Sequence, residues 1–237
     1  MATHLITGAG SGIGAALTRA LLERGDELWL LARDAGRARQ LAQEFAPAAE
    51  AAGGGVRTLV GDLAEPERLS WAFGHQELPG ELDSLVHSAG VCDLGDVGEL
   101  TPRVWQATLA ANLVAPAELT RLLLPQLRLA RGHVVFVNSG AGLRAHPQWS
   151  AYAASKHGLK ALADALRGEE SGNGVRVSSV YPGRTATPMQ EKVHRQEGKA
   201  YRAEEWMSPE SVARTVLTAL DLPRGTELTD LSVRPTG

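Results

Sequence analysis

Thr3-His4-Leu5-Ile6-Thr7, running directly into Gly8-Ala9-Gly10-Ser11-Gly12-Ile13-Gly14, is the stretch whose reading decides the fold. The first five residues form a short β-type run. Ile13, Leu17, Ala20 and Leu21 then recur at helical spacing, and Gly25 ends the pattern as a C-cap does. A glycine-rich turn therefore lies between a strand and a helix. Its glycines permit positive φ and close backbone approach, and the helix N-terminus offers free N–H groups to a pyrophosphate. A merely flexible loop has no need of that flanking context. The spacing is Gly8-x3-Gly12-x-Gly14, and Gly10-x-Gly12-x-x-Ala15 fits the looser dinucleotide form as well.

Outward from this turn the chain alternates. Strand-like runs fall at 3–7, 27–32, 56–60, 83–88, 133–138, 175–181 and 229–233, with helical patterns near 12–24, 35–46, 66–74, 102–112, 115–130, 151–170 and 208–220. Such alternation predicts parallel strands joined by right-handed crossovers, with helices on both faces. The fold class expected is α/β, doubly wound, with a seven-stranded, mainly parallel sheet in a single domain over 1–237. Pro47 to Gly55, rich in alanine and glycine, reads as a loop. Residues 184–207 are polar and irregular, a connection long enough to suggest a substrate loop or lid.

Composition excludes several classes. The 237 residues are 43% hydrophobic, enough for a large core, and a formal charge of −3 gives no reason to expect nucleic acid or an anionic membrane as partner. Cys92 is the single cysteine, which rules out an intrachain disulfide and suits a reducing compartment. It reads as a small buried residue. The seven histidines have no carboxylates at ligand spacing, so no metal is expected. Without a bilayer-length apolar run or a charged and apolar leader pattern, the expected location is cytoplasmic.

The chemistry centres on Tyr152-Ala153-Ala154-Ser155-Lys156, with Ser139 thirteen residues upstream. On a helix, Tyr152 and Lys156 share one face. A nearby ammonium favours phenolate, so the Tyr152 pKa should fall toward the working pH and let the phenol exchange a proton with an alcohol or carbonyl oxygen. Ser139 can hydrogen-bond the same oxygen. Alone, such a Tyr–Lys pair is usually an ordinary surface pair on an amphipathic helix.

The wider set of motifs resembles the short-chain dehydrogenase/reductase family in its single-domain branch. The matching residues are Thr7-Gly8-x3-Gly12-x-Gly14, Asp62-Leu63, Ala89-Gly90, Asn112, Ser139, Tyr152-x3-Lys156 and Pro182-Gly183-x3-Thr187, in family order across nearly the whole chain. One departure stands out: His87-Ser88-Ala89-Gly90 replaces the usual Asn-Asn-Ala-Gly, whose asparagine props the central sheet.

The resemblance implies a Rossmann-type fold and a nicotinamide cofactor. Its contacts would come from Gly8, Ser11, Gly12, Ile13, Gly14, Arg33, Asp62, Leu63, Ala89, Gly90, Tyr152, Lys156, Pro182, Gly183 and Thr187. Asp62 would bond the adenine amino group, Thr187 the nicotinamide amide and Lys156 the ribose. Tyr152 would be the proton donor, Ser139 would steady the substrate oxygen, and Asn112 would hold a water relaying protons to Lys156. Ala32 stands where NAD enzymes of the family carry aspartate. Arg33 follows, with a guanidinium fork suited to a 2′-phosphate, so NADP(H) is the expected cofactor.

The expected reaction is hydride transfer between nicotinamide and a carbonyl or secondary alcohol. Residues 188–207, with Met189, Trp206 and Met207 among many charges, suit a short amphipathic helix whose apolar underside closes over nicotinamide and substrate. With Leu143 and Trp149 opposite, it should make a mainly apolar pocket for uncharged, small to medium substrates. His146 lies where that pocket's wall runs. The apolar stripes Leu119-Leu122-Leu123 and Leu159-Leu162-Leu166 suggest a homodimer or homotetramer, unless both stripes only face the sheet. Two rival readings are a non-catalytic NADP-sensing or scaffold protein and a sugar-nucleotide epimerase or dehydratase. Retention of Asn112, Ser139, Tyr152 and Lys156 argues against the first. Length and glycine spacing argue against the second.

Overall fold

The computed structural model describes residues 1–236. Seven strands, β1 (Thr3–Thr7), β2 (Glu27–Ala32), β3 (Gly55–Val60), β4 (Ser84–His87), β5 (His133–Val137), β6 (Arg176–Pro182) and β7 (Asp230–Val233), form one sheet in the order β3-β2-β1-β4-β5-β6-β7. Every neighbouring pair is parallel. The order reverses between β1 and β4, and it is outside the carboxyl ends of the strands, at such a switch point, that doubly wound sheets bind ligands.

Helices cover both faces, as the strand–helix alternation predicts. On one side α1 (Gly12–Leu22), α2 (Ala35–Ala52) and α8 (Pro209–Leu220) pack through Leu17, Leu21, Leu41, Phe45 and Val216 onto Ile6, Leu28, Leu30 and Val135. On the other, α3 (Leu69–Phe73), α5 (Ala115–Ala130) and α6 (Ser150–Glu170) pack onto Leu5, Trp29, Leu85 and Phe136. Strand residues alternate between the two cores because successive side chains point to opposite faces. Leu119, Leu123, Leu159 and Leu166 all lie in this second core. These four leucines of the stripes thus face the sheet, while Leu122 and Leu162 are only partly buried against the same core.

The Pro47–Gly55 segment corrects another expectation. α2 runs through Pro47 to Ala52, and Gly53 caps it at φ 73°. Leu41, Phe45 and Ala49 continue one buried stripe at four-residue steps, and four alanines in the last turns favour helix enough to carry the exposed proline. The patterns at 102–112 and 115–130 are also continuous. α4 (Pro102–Leu109) passes through a π-helical turn at Ala110–Val114 into α5. Within the polar stretch 184–207 a helix appears, α7 (Pro188–Gln196), with a short 3-10 turn at Ala203–Glu205.

The sheet is braced without the family's asparagine. Thr7 Oγ1 accepts from the Ser88 and Ala89 amides at 3.1 and 3.0 Å, tying β1 to the end of β4. His87 is buried, stacks on Phe136 with ring centres 4.9 Å apart, and lies 2.9 Å from Thr120 Oγ1 on α5. Burial lowers its pKa to about 3, so the ring is neutral. Elsewhere in the sheet, His4 pairs with Ser84 and His133 with Ser178, each at 2.7 Å.

Candidate functional site

The turn after β1 has the properties of a phosphate cradle. Gly8 and Gly12 have φ of 70° and 50°. A Cβ on Gly8 would stand 2.8 Å from the Ala89 amide nitrogen, and one on Gly14 would stand 2.2 Å from the Gly8 carbonyl oxygen. Only glycine lets this turn close over the helix end. Ser11 is the N-cap of α1, but its side chain makes no capping bond to the first-turn amides.

Three adjoining cavities run from this turn. The first, about 500 Å3, is lined by Gly8, Ser11, Ala32, Arg33, Arg37, Asp62, Leu63 and Ala89 among others. A smaller one, about 210 Å3, lies between Ser11, Gly12, Ile13, Gly90, Thr187 and Met189. The third, about 500 Å3, holds Ser139, Tyr152, Pro182, Gly183 and Thr187. Shared Gly8, Ser11 and Ala89 join the first to the second, and Thr187 and Met189 join the second to the third. The result is a trough along the carboxyl end of the sheet. An elongated dinucleotide fits it, with phosphates at the α1 N-terminus and one end at the arginines.

At that end Arg33 is 78% exposed and bonds Asp34 at 3.1 Å. Asp34 is the N-cap of α2, accepting from the Arg37 amide at 2.8 Å, and it does not line the trough. Arg37 does line it. Its Nη2 donates to the Gly10 carbonyl at 3.1 Å, which lays the guanidinium over the glycine turn. Sequence reading missed Arg37. Its signal was its place one helical turn beyond Arg33, at the start of α2. Asp62 faces the trough while its Oδ1 accepts from the Ala64 amide at 2.9 Å, so the turn-forming and adenine-facing readings coexist.

At the other end α6 presents Tyr152 and Lys156 on one buried face, with Ser139 at the end of β5 beside them. Ser139 Oγ accepts from the Ala141 amide at 3.1 Å and lines the same cavity as Tyr152. The expected lowering of the phenol pKa is not found. Burial pushes it above its ordinary value, and the nearby Ser139 only partly opposes this. Lys156 Nζ lies 5.8 Å from the Tyr152 ring centre and donates to the Val137 carbonyl at 3.0 Å rather than to the phenol. Burial brings this ammonium down to about 8.

Asn112 sits inside the π-helical turn, where the extra residue rotates it inward. Its Oδ1 accepts from the Val91 amide at 2.8 Å, and its Nδ2 donates to the Val91 carbonyl and to Ser155 Oγ. Ser155 Oγ donates in turn to the Tyr152 carbonyl at 2.7 Å. A Cβ on Gly90 would lie 3.2 Å from Asn112 Oδ1 and 3.9 Å from Lys156 Nζ, so the glycine keeps these two groups close. Thr187 is the N-cap of α7, its Oγ1 accepting from the Gln190 amide at 3.2 Å.

The substrate-side cavity differs from the mainly apolar pocket expected. Met189, Val193 and Trp149 line it, but so do His146, Arg184, Gln190 and Glu197. Leu143 is 43% exposed and lies outside it. Met207 packs into the main core, and Trp206 stands behind Arg184. Cys92 is buried in the wall, its thiol pushed up to about 12 by burial and by Asp93. Polar side chains from the 184–207 segment could not be assigned to the cavity from an irregular pattern.

The short chain dehydrogenase family profile matches residues 2–198. An uncharacterized short-chain type dehydrogenase/reductase of Sinorhizobium fredii is 34% identical over 239 residues, covering 98% of this chain and 91% of that protein. Galactitol 2-dehydrogenase (L-tagatose-forming) of Cereibacter sphaeroides is 34% identical over 188 residues, 78% of this chain and 71% of its own length. An alcohol dehydrogenase of Thermococcus sibiricus, solved with 5-hydroxy-NADP, superposes with a TM-score of 0.85 at 25% identity, covering 99% and 96% of the two chains. A metagenomic short-chain oxidoreductase in complex with NADP superposes at 0.80 with 31% identity, covering 99% and 97%. Motifs, parallel sheet, glycine cradle and relatives agree: the chain belongs to the short-chain dehydrogenase/reductase family of oxidoreductases.

Proposed function

We propose that the protein is an NADP(H)-dependent oxidoreductase that interconverts a carbonyl and a secondary alcohol on a small to medium, uncharged substrate. The observation that carries this reading is the joining of the Ser139–Tyr152–Lys156 cluster to an arginine-flanked trough with a glycine cradle between them. When bound, a nicotinamide in the trough would supply or take the hydride.

The chain's own residues do the rest. Tyr152, kept protonated by burial, donates its proton to the carbonyl oxygen as negative charge develops there. Ser139 bonds the same oxygen and fixes its position. Lys156 supplies a positive charge to the ribose side of the trough, and a ribose contact would draw it from Val137 toward the phenol. Asn112 holds the Val91 backbone and the Tyr152 turn in place, and the proton relay through it remains part of the proposal. Arg33 and Arg37 line one end of the trough and would receive a 2′-phosphate, and the NADP carried by several solved relatives supports that cofactor.

Cofactor affinity tests the preference. NADPH should bind more tightly than NADH by about 1–3 kcal/mol, and Arg33→Asp with Arg37→Gln should abolish or reverse the difference. Equal affinities in the unaltered protein would remove the NADP assignment. Family resemblance also supports a homodimer or homotetramer, for which light scattering at micromolar protein is the check. Among the described residues no helix is long and apolar enough to cross a membrane. A cytoplasmic site of action accords with the lone buried thiol and is tested by cell fractionation.

A further inference from the structure

Arg184 follows Pro182-Gly183 at the end of β6 and lines the same cavity as Ser139 and Tyr152. Its guanidinium lies over Trp149, 5.9 Å from the ring centre, and over Trp206 at 5.4 Å. Trp149 meets Tyr152 edge-on with ring centres 5.8 Å apart. The Trp149 indole thus meets both the guanidinium and the phenol ring. All three line one cavity, so a substrate bound by its carbonyl at Tyr152 and long enough to pass Trp149 would meet Arg184. An unpaired arginine there would select a carboxylate or phosphate.

This arginine is not unpaired. Its Nη1 and Nη2 donate to the two Glu197 carboxylate oxygens at 3.0 and 2.5 Å. The Glu197 side chain is only 9% exposed, lines the cavity itself, and also accepts from Lys199 Nζ at 3.2 Å. The Arg184 hydrogen bond holds its carboxyl below the usual carboxylate range, so it is charged at neutral pH. The pair is two-pronged, and two indoles lie against the guanidinium.

We propose that Glu197 is a specificity-determining residue: it masks Arg184, so the pocket rejects carbonyl substrates with an anionic far end and takes those ending in an amide or hydroxyl. This rests on the oxidoreductase reading above. A substrate carboxylate must either displace Glu197 from the guanidinium or lie beside it, and both place like charges together in a partly dry cavity. A neutral group meets no such repulsion. It can use the remaining guanidinium N–H groups and the free lone pairs of Glu197. Because the pair acts on the far end and not on the reacting carbon, its effect belongs in KM rather than kcat.

The test compares matched ketones, levulinamide against levulinate and benzoylpropionamide against benzoylpropionate, with NADPH. The native protein should favour each amide by about tenfold or more in kcat/KM, the scale on which a site built for one polar group rejects another. Glu197→Gln keeps shape and removes charge, and should shift the ratio toward the carboxylates by about tenfold or more, mainly through KM. Arg184→Gln combined with Glu197→Gln removes both charges and should give a ratio between those of the native protein and Glu197→Gln. Should Glu197→Gln not fold by circular dichroism, Glu197→Asp, which loosens the two-pronged pair, should shift the ratio in the same direction. A native preference for the carboxylates, or a ratio unmoved by the Glu197 variants, overturns the masking proposal alone. NADPH binding without turnover of these or any other carbonyl overturns the oxidoreductase reading beneath it.

Discussion

Tyr152 and Lys156 sit one helical turn apart, yet each is tuned more by burial than by the other. The residue types and their spacing were legible in the sequence. The electrostatic balance was not, because spacing along a helix says nothing of the carbonyl at Val137 that Lys156 meets, or of the depth at which the phenol lies. Arg37 was missed for a similar reason: only the folded glycine turn brings it over Gly10. The Lys156 shift gives a prediction. If its ammonium is a cofactor donor, NADPH favours the protonated amine, and affinity should fall as pH rises through about 8. Calorimetry between pH 7 and 9.5 should show this slope, and Lys156→Met should flatten it. An unchanged slope in the variant would take Lys156 out of cofactor binding.

Among the elements, α2 runs further than its sequence pattern predicts, while α7 falls inside the segment expected to hold a short amphipathic helix. The alanine- and glycine-rich run from Pro47 to Gly55 reads as a loop, but Ala49 extends the Leu41–Phe45 stripe and Gly53 supplies the cap. The buried face outweighs the missing amide. Since Pro47 is exposed and lacks the N–H for the helical ladder, Pro47→Ala should stabilise the protein by about 1–2 kcal/mol, the proline cost less its benefit in the unfolded chain. Urea unfolding measures this, and a destabilised variant would mean the ladder is already broken at that point. In α7, capped by Thr187 and followed by Glu197, the mixture of Met189 and charged residues gives the short amphipathic helix it suits. We expect this segment to close over bound substrate. Hydrogen exchange in residues 188–207 should slow on NADPH addition, and high protection that the cofactor leaves unchanged would remove the lid.

For the whole molecule, the alternation of strands and helices was enough to give the doubly wound sheet. What it could not give was which helix faces turn inward, and four of the leucines offered for assembly proved to belong to the core. The core also contains His87 and His133, both lowered to about 3 by burial. A depressed folded pKa means the native state binds fewer protons than the unfolded chain. Stability from these groups is complete above about pH 6.5 and is lost progressively as pH falls toward 3. Tm should therefore decline through mild acid, and His133→Gln should reduce that slope while lowering stability at neutral pH. The central claim, that Tyr152 completes hydride transfer from NADPH to a carbonyl, is tested most directly by isotope transfer. With NADPH deuterated at nicotinamide C4 and a ketone that the protein reduces, mass spectrometry should find deuterium at the carbinol carbon. The account predicts that transfer with the native protein and its near disappearance in Tyr152→Phe, with NADPH affinity preserved. Alcohol product without deuterium from either C4 position, or undiminished transfer in Tyr152→Phe, would contradict it.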